Sequence, residues 1–397
     1  MKTPYGHLSY CSNIHPGEDW KEHFAVLQTS IPEIKAGVCP DAPMGIGLRL
    51  ANQASIDLSV EQHFENFQNW LTAQNCYVFT MNGFPFGNFH HSVVKDKVHA
   101  PDWTTHERRD YTIRLFNLLA RLLPDTLAEG GISTSPLSYR FWWLNDASLE
   151  EATIKATKNM ISVVETLIEL KASSGKTLHL DIEPEPDGIL ENSEEFISWY
   201  NNYLLPLGIE QLGAKGLLPE QATEAIKTHI QLCYDVCHFA VGFETPQDVI
   251  AKLEAEDLKV GKIQISSALK VDFADKAQEK LEVIAQYNEP IYLHQVVAQK
   301  HDGSFLKYPD LSEAIAGFDS SISSWRVHFH VPLFLEQYGL LGSTQSDIVN
   351  TIGVHKAKPF TNHLEVETYT WGVLPKEFQA PLNESIIREL NWVKGIL

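Results

Sequence analysis

Short segments in which apolar and ionisable residues alternate strictly are the feature that most constrains how this chain can fold. In residues 177–185, leucine or isoleucine fills positions 178, 180 and 182, whereas His179, Asp181, Glu183 and Glu185 occupy odd positions. Successive side chains of a β-strand point to opposite faces. The segment therefore predicts a strand with one apolar face and one ionisable face.

The alternation returns in the later part of the chain, within residues 232–236, 262–266, 327–331 and 363–367. Segments with helical apolar spacing lie between strand candidates, for example at 60–73, 107–123, 149–170 and 194–204. Strands that alternate with helices favour βα units and a parallel sheet. The sequence thus predicts an α/β fold, a (β/α)8 TIM barrel with late insertions, which forms a single domain over residues 1–397.

The strand candidates outnumber the eight strands of such a barrel. They are residues 7–14, 44–50, 76–81, 131–134, 177–183, 229–235, 259–266, 290–297, 325–331 and 363–368. Two of the last three would be an inserted pair of strands, or would not be strands at all.

The ionisable faces would point into the barrel because crossover helices cover its outer surface. Isolated ionised carboxylates are costly to bury. They should gather at the rim and bind a cation, or pair with histidines. Proline follows Glu183, which places that residue at the rim, and Asp235 and His238 have the spacing of a strand end and its following turn. The competing interpretations are a salt bridge for each carboxylate and a structural role for the imidazole.

Oxygen and imidazole ligands suit a divalent Mn, Mg, Zn or Co ion. The candidate ligands are Glu183, Asp235, Gln264, His294, His328, His330, Glu365 and Glu367. Of the last two, the interpretation favours Glu365, because Glu367 would lie beyond the rim. Glu183 and Glu365 are also the catalytic candidates, together with His238.

The N-terminal half supplies further candidates. Residues 82–91, NGFPFGNFHH, follow a strand and have the composition of a mobile rim loop or of a packed turn. Asn82 in this segment is a substrate-binding candidate. Arg49 and Arg140 could hold an anionic substrate, and Arg49 could instead neutralise carboxylates. Asn13 and His15 follow the first strand.

The charge balance limits the partners. The chain carries 31 basic and 51 acidic residues, a net charge of -20, which repels nucleic acid and anionic membranes.

No apolar run is long enough to span a membrane, and the first ten residues lack the apolar segment of a signal peptide. Five cysteines without tight spacing favour reduced thiols in a cytoplasmic protein. The expected partner is a small-molecule substrate, and a homo-oligomer stays open.

Several motifs together resemble the EboE-type metabolite traffic proteins, which are classed with the xylose-isomerase-like TIM barrels. The motifs are GHLSYCSNIHPGE, NGFPFG, ISTSPLSYR, HLDIEPEPDG, CYDVCHFAV, QISSALK, YLHQVV, RVHFHVP and HLEVETYTW. The resemblance spans nearly the whole chain. It is a family associated with an operon for moving a metabolite precursor out of the cytoplasm.

The resemblance implies a metal set of Glu, Asp, His and Glu from successive later strands. Glu183 takes the first place, Asp235 the second and Glu365 the last, while His238 resembles a substrate-contacting histidine. The third place departs from the pattern, because KIQISS brings Gln264 there. The histidine would then come from a neighbouring segment, as His294, His328 or His330.

Three functions follow as alternatives. The first is a metal-dependent isomerase or epimerase that acts on a small polyhydroxylated metabolite. The second is a hydrolase or lyase with a metal-activated water, in which His15, His90, His91, His328 and His330 build a site for two or three ions. The third is a barrel without catalysis that binds or hands over a metabolite or a partner protein, for which Gln264 is the main support.

Overall fold

Segments of period two become strands and segments of helical period become helices in the computed structural model, which describes residues 1–87 and 94–397. The strands of this part of the chain are β1 (Lys2–Thr3), β2 (Gly6–Tyr10), β3 (Met44–Arg49), β4 (Cys76–Asn82), β5 (Glu129–Thr134), β6 (Thr177–Ile182), β7 (Ile230–Asp235), β8 (Val260–Ile265), β9 (Ala268–Asp272), β10 (Val296–Lys300), β11 (Phe305–Tyr308), β12 (Ile322–His330), β13 (Gln337–Tyr338), β14 (Leu341–Ser343) and β15 (His363–Val366).

The helices of the same residues are α1 (Trp20–Val38), α2 (Asn52–Leu58), α3 (Glu61–Ala73), α4 (His106–Leu122), α5 (Asp146–Ser174), α6 (Ser193–Trp199), α7 (Leu205–Gly213), α8 (Pro219–His229), α9 (Val236–Val241), α10 (Pro246–Ala255), α11 (Ala277–Ile284), α12 (Leu311–Ala316), α13 (Gln345–Ala357) and α14 (Leu382–Ile396). A π-helical turn, Tyr200–Leu204, joins α6 to α7. The helices predicted at 60–73, 107–123 and 149–170 correspond to α3, α4 and α5.

Parallel strands close into a ring. The order is β2-β15-β8-β7-β6-β5-β4-β3, and each neighbouring pair in this order is parallel. A parallel bridge between Cys11 and Gly47 joins the two ends, β2 and β3. The antiparallel β1 extends the sheet beside β2. The predicted eight-stranded barrel is confirmed.

An inserted sheet lies between the last two barrel strands, β8 and β15. Its order is β11-β10-β12-β9-β14-β13, and all its pairs are antiparallel. The candidates at 290–297 and 325–331 overlap β10 and β12, which pair with each other, so the inserted pair is the correct alternative. The other four strands of this sheet were missed. The insertion carries its own apolar core, which includes Trp325, Val327 and Phe329.

The main apolar core fills the space between the ring and its helices. Leu178, Leu180 and Ile182 belong to it, as the alternation in β6 predicts. The ionisable partners on that strand therefore point into the barrel. Among the described residues, no helix has both the length and the apolar character that a membrane crossing needs.

Candidate metal centre

Three carboxylates meet at the C-terminal end of the barrel. Glu183 comes directly after β6, Asp235 is the last residue of β7, and Glu367 comes directly after β15. All three are buried, and one oxygen from each lies within 4.8 Å of the other two. The strand ends thus bring together side chains that are far apart in sequence.

Neighbouring groups fix two of these carboxylates. Oδ1 of Asp235 accepts hydrogen bonds from the His238 backbone N–H (3.0 Å) and from the Ser266 hydroxyl (2.7 Å). Oε1 of Glu367 accepts from the side-chain amides of Asn13 (2.5 Å) and Asn82 (3.1 Å). In each case one oxygen is held by the protein and the other can face a ligand.

Three histidines surround the carboxylates, and each uses Nδ1 in the same way. Nδ1 lies 3.1 Å from the Pro184 carbonyl oxygen in His238, 2.8 Å from Gln295 Oε1 in His328, and 3.1 Å from the Glu367 carbonyl oxygen in His330. A hydrogen bond at one ring nitrogen sets the tautomer and aims the other nitrogen. Neutral rings of this kind present Nε2 as a metal ligand.

The imidazoles and carboxylates form overlapping groups that could hold an ion. Ligand atoms lie within 4.8 Å of one another in the groups Asp235–His238–His330, Glu185–His238–His328 and Cys237–His328–His330. The rings of His238 and His328 meet edge to face at 4.7 Å between centroids. The site therefore has room for more than one arrangement of ligands.

The electrostatics fit a cation. Burial, and then the neighbouring Glu367 and Asp235 carboxylates, raise the pKa of Glu183 well above its usual value. Burial, and then Asp235, raise the pKa of Glu367 to about 8. Burial lowers the pKa of His238 to about 3 and, against the pull of Asp235, that of His330 to about 4. Carboxyl groups that would repel one another when ionised thus lie beside imidazoles that stay neutral.

No lysine or arginine among the described residues forms an ion pair with Glu183, Asp235 or Glu367. Within the same residues, Glu183 Oε2, Asp235 Oδ2 and Nε2 of His328 and His330 are buried without a hydrogen-bond partner. Leaving such groups unsatisfied is costly. A divalent cation bound by carboxylate oxygens and imidazole nitrogens fits this donor set.

A cavity of about 80 Å³ opens above the carboxylates. Its wall combines Glu183, Glu367 and His238 with the apolar or aromatic residues Phe84, Tyr292 and Tyr369. The wall also contains His99, whose Nε2 lies 3.2 Å from Glu185 Oε1. Burial lowers the pKa of His99 to about 3. Sequence reasoning missed His99, because the turn Lys95–His99 has no strand alternation to mark its inner face.

Glu365 occupies a different place from its predicted one. It lies two residues before Glu367 on the same strand face, deeper in the barrel, and its Oε2 is 2.6 Å from Lys262 Nζ. Among the described residues, the groups able to hold a metal include Glu367 and not Glu365. Of the two predicted glutamates, Glu367 is therefore the one that we propose for the metal centre. The physical reason is the lysine, which already neutralises the deeper carboxylate.

His294 and Gln264 also differ from the predicted ligand set. His294 uses both ring nitrogens, since Nε2 lies 2.8 Å from Glu289 Oε1 and Nδ1 lies 3.1 Å from the His328 carbonyl oxygen. It is absent from the metal-capable groups of the described residues. Gln264 is buried beside Asp235 in the strand register, and it is close enough to Glu367 to lower that carboxyl's pKa.

Of the three predicted substrate-binding residues Asn82, Arg49 and Arg140, one lines the cavity and two do not. Asn82 lines the cavity. Arg49 is buried and donates hydrogen bonds to the carbonyl oxygens of Pro85 and Gly87. Arg140 pairs with Glu195 at 2.7 Å and donates to the carbonyl oxygens of Gly188 and Ile189. Neither arginine lines the cavity, because each stabilises a loop instead.

Two further predictions concern the histidines of the N-terminal half. His15 lies outside the cavity wall, with its Nε2 2.8 Å from the Tyr10 hydroxyl. His90 and His91, with the end of the predicted loop at 82–91, lie outside the described residues.

No protein-family model matches the sequence, and no curated protein matches it. Solved structures do match. A xylose isomerase-like TIM barrel protein from Mycobacterium smegmatis in complex with magnesium is 9% identical, with a TM-score of 0.51 over 100% of this chain and 98% of that one. The chain has the xylose-isomerase-like TIM-barrel fold.

Other barrels of this fold match with lower TM-scores. A xylose isomerase domain protein from Alicyclobacillus acidocaldarius subsp. acidocaldarius is 10% identical, with a TM-score of 0.46 over 98% of this chain and 97% of that one. The probable 3-DHS dehydratase AsbF from Bacillus anthracis is 11% identical, with a TM-score of 0.45 over 98% of both chains. At these identities the matches describe the fold alone.

In this xylose-isomerase-like barrel, the inserted sheet contributes to the site. His328 and His330 lie at the end of β12, and His330 belongs to one metal-capable group with Asp235. The barrel strand β8, by contrast, brings Gln264 beside Asp235. A histidine from the insertion therefore stands next to the position where the sequence has an amide.

Proposed function

We propose that this chain is a metal-dependent isomerase or epimerase that acts on a small, neutral, polyhydroxylated metabolite. One observation carries the proposal: three buried carboxylates and three imidazoles with oriented Nδ1 atoms form overlapping metal-capable groups at the C-terminal end of the barrel. Four of these six residues, Glu183, Glu367, His238 and His328, line the cavity. The magnesium-bound barrel from Mycobacterium smegmatis has the same fold and supports a divalent cation for this site. Mn, Mg, Zn and Co all fit the donor set.

Glu183, Asp235 and Glu367 would hold the ion, with His330 beside Asp235. When bound there, such an ion would supply Lewis-acid polarisation of a substrate carbonyl oxygen, which acidifies the proton on the neighbouring carbon. Asn13 and Asn82 orient Glu367 through its Oε1.

The two glutamates that line the cavity, Glu183 and Glu367, are placed to take up and return the substrate proton. His238 also lines the cavity, with Nε2 free of the bond that Nδ1 makes to Pro184, and would contact a substrate hydroxyl. Phe84 and Tyr369 also line the cavity and would limit the access of water to the substrate.

We infer a neutral substrate from the positions of the basic side chains around the cavity. Neither Arg49 nor Arg140 lines the cavity, and the lysine that does, Lys95, lies 2.5 Å from Asp310. A phosphorylated or carboxylated substrate would lack a free counter-charge at these residues and would meet the carboxylates instead. A polyol or sugar can hydrogen-bond to the same groups without this repulsion.

The test combines metal content with exchange of a carbon-bound proton in deuterated water across a panel of sugars and polyols. We expect at least one bound divalent ion and exchange with at least one compound. Glu183→Gln and Asp235→Asn should lose the exchange and bind less metal than wild type, whereas Glu313→Gln, an exposed residue of α12, should match wild type in both. Folded protein without metal and without exchange would refute the proposal.

A metal-dependent hydrolase or lyase is the second candidate, and a specific observation favours it. The group Glu185–His238–His328 adjoins the three carboxylates and could take a second ion beside the first. Two ions would suit attack by a metal-activated water. A metal stoichiometry above one, with release of a hydrolysed product and no proton exchange, would select this reaction.

The resemblance to EboE-type proteins adds a cellular context to the proposal, in which the product or substrate belongs to a metabolite-export pathway of the cytoplasm. The alternative without catalysis is tested in the same context. Glu183→Ala and Asp235→Ala should abolish cellular function if the chain is an enzyme. Retained function of these folded variants would instead favour a protein that only binds or hands over a metabolite.

A further inference from the structure

A second cluster of ligating side chains lies inside the barrel near its N-terminal end. His179 and Asp181 point inward from β6, and His363 is the first residue of β15, on another part of the ring. One ligand atom of each lies within 4.8 Å of the other two. Asp181 is two residues before Glu183, roughly 6.6 Å deeper along the strand. The cluster is therefore separate from the rim site.

Two glycines make the space for this cluster. A Cβ on Gly131 of β5 would lie 2.3 Å from His179 Cε1, and a Cβ on Gly261 of β8 would lie 1.9 Å from Asp181 Oδ1. Any other residue at these positions would displace the cluster. The strands that face His179 and Asp181 are thus built around them.

Two polar atoms of this cluster have no partner once the hydrogen bond within the cluster is counted. His179 Nδ1 lies 2.6 Å from Asp181 Oδ1, and the rings of His179 and His363 stack at 5.0 Å between centroids. Within the described residues, Asp181 Oδ2 and His363 Nδ1 are buried with no hydrogen-bond partner. Buried polar atoms are normally satisfied, so each of these calls for an explanation.

The nearest lysine on these strands does not supply the missing partner. Lys262 Nζ donates to Glu365 Oε2 (2.6 Å), the Met81 carbonyl oxygen (3.0 Å) and Ser133 Oγ (3.2 Å). Its three donors are therefore engaged elsewhere. A positive charge for Asp181 must come from His179 or from a bound ion.

A cleft of about 320 Å³ leads to His179 from the N-terminal face of the barrel. Its lining is polar and includes Glu129, Thr177, Gln231 and Asn362. An ion can reach the cluster through this cleft without passing the rim site. Water in the cleft could complete the coordination of such an ion.

We propose that His179, Asp181 and His363 form a second metal site, for a divalent ion of the zinc and cobalt kind, at the N-terminal end of the barrel. Two imidazoles and one carboxylate are a donor set that zinc prefers and magnesium does not. The ion would link β6 to β15 across the interior of the ring. Its role is structural, because the substrate cavity lies at the opposite end.

The experiment uses the full chain, stripped with a chelator, reloaded with Zn²⁺ and desalted before metal analysis. His363→Gln should bind one equivalent less than wild type. His7→Gln is the matched control, since His7 lies on neighbouring β2 and its Nδ1 contacts the Tyr77 hydroxyl at 2.7 Å, outside the cluster. It should bind as much Zn²⁺ as wild type. Unchanged stoichiometry in folded His363→Gln would overturn the proposal.

A crystal of the Zn²⁺-loaded wild-type protein decides the question even if His363→Gln fails to fold. We expect an anomalous peak at the zinc edge between His179 and His363. A map with density for a rim ion and none at this cluster would refute the second site and leave the proposed function intact. The converse map would refute the rim centre and support the second site, so the two failures are distinguishable.

Discussion

At the scale of single residues, the barrel interior contains a buried ion pair directly below the candidate metal centre. Lys262 and Glu365 are both fully buried, with Nζ and Oε2 2.6 Å apart. Burial is the largest single effect and lowers the pKa of Lys262, but the charge and hydrogen bond of Glu365, together with Cys233 and Cys11, raise that pKa above its usual value. The pair neutralises itself, and this leaves the carboxylates above it without a protein cation.

Removing the lysine should therefore destabilise the fold strongly. We expect Lys262→Met to lower the free energy of unfolding by about 3–5 kcal/mol, because Glu365 would remain buried and unpaired. The double variant Lys262→Met/Glu365→Leu should recover most of this loss. Urea unfolding measures both.

The control is an exposed pair on the surface. Lys358→Met breaks the contact with Glu254 (2.7 Å, side chains 74% and 45% exposed) and should cost less than about 1 kcal/mol. A double variant no more stable than Lys262→Met would contradict the interpretation that the pair is self-contained.

The sequence could predict which strand faces are polar, but not how the groups on one face divide their roles. Glu365 and Glu367 share a face, so alternation alone cannot separate them. The two glutamates differ in their depth in the barrel and in their partners. The deeper one, Glu365, is neutralised by Lys262, which lies on another strand and cannot be inferred from the alternation. His294 was a ligand candidate for the same reason, since its partner Glu289 lies in a loop without a periodic pattern.

A hydrogen bond that holds a candidate metal ligand in place allows a second test at the scale of single residues. The Ser266 hydroxyl lies 2.7 Å from Asp235 Oδ1 and holds that carboxylate in place. Loss of such a supporting bond lowers metal affinity by about 10–100-fold. We expect Ser266→Ala to weaken metal binding by about this factor, measured by competition with a chromophoric chelator.

The neighbouring residue provides the matched control. Ser267 is also buried, and within the described residues its hydroxyl makes no hydrogen bond to Asp235. Ser267→Ala should leave the affinity within about twofold of wild type. An equal loss for both serines would mean that general loosening, and not support of Asp235, sets the affinity.

At the scale of elements, the strands and helices with strong periodicity were predictable and the short edge strands were not. Barrel strands such as β6 and β7 alternate over their whole length because helices cover one side. β13 and β14 contain two and three residues, too few for a period to show. β14 pairs with β9, and β13 pairs with β14, so these short strands depend on partners from other parts of the insertion.

The C-terminal helix α14 carries a buried carboxyl that makes stability depend on pH. Glu389 Oε1 accepts hydrogen bonds from the Thr368 hydroxyl (2.8 Å) and from the Leu333 backbone N–H (3.2 Å). Burial raises its pKa from 4.5 to about 8, despite these bonds. The folded state therefore favours the neutral carboxyl. Its contribution to stability is complete below about pH 4.5 and is lost as the pH rises through 8.

Glu389→Gln should remove this pH dependence, because the amide stays neutral and its oxygen can accept the same bonds. We expect the variant to unfold at a free energy about 1–3 kcal/mol higher than wild type at pH 8.5, and nearly equal at pH 5. Urea unfolding at the two pH values measures it. Glu384→Gln, on an exposed part of the same helix, should show no such difference. A penalty for Glu389→Gln at pH 8.5 would show that the charged form is stabilised.

At the scale of the whole molecule, the candidate metal centre joins two cores. Glu183 and Asp235 belong to the barrel, whereas His328 and His330 come from the insertion with its separate apolar core. The sequence named both sets of residues as candidate ligands, but the antiparallel sheet that presents His328 and His330 was predicted only as a possible inserted pair of strands. That residues 1–397 behave as one domain is our proposal, and the shared site is the physical reason for it.

A ligand that binds only the folded state stabilises it, by about 2.7 kcal/mol at a hundredfold excess over Kd. If one ion joins both cores, its removal should loosen both together. We expect chelation to increase hydrogen exchange in β7 and in β12 by similar factors, and to change β3, on the far side of the ring, much less. In β7 and β12, Asp235→Asn should already exchange like the chelated protein and should not respond further to chelator. Increased exchange in β7 alone would mean that the insertion contributes no ligand, and that the barrel and the inserted sheet are stabilised independently.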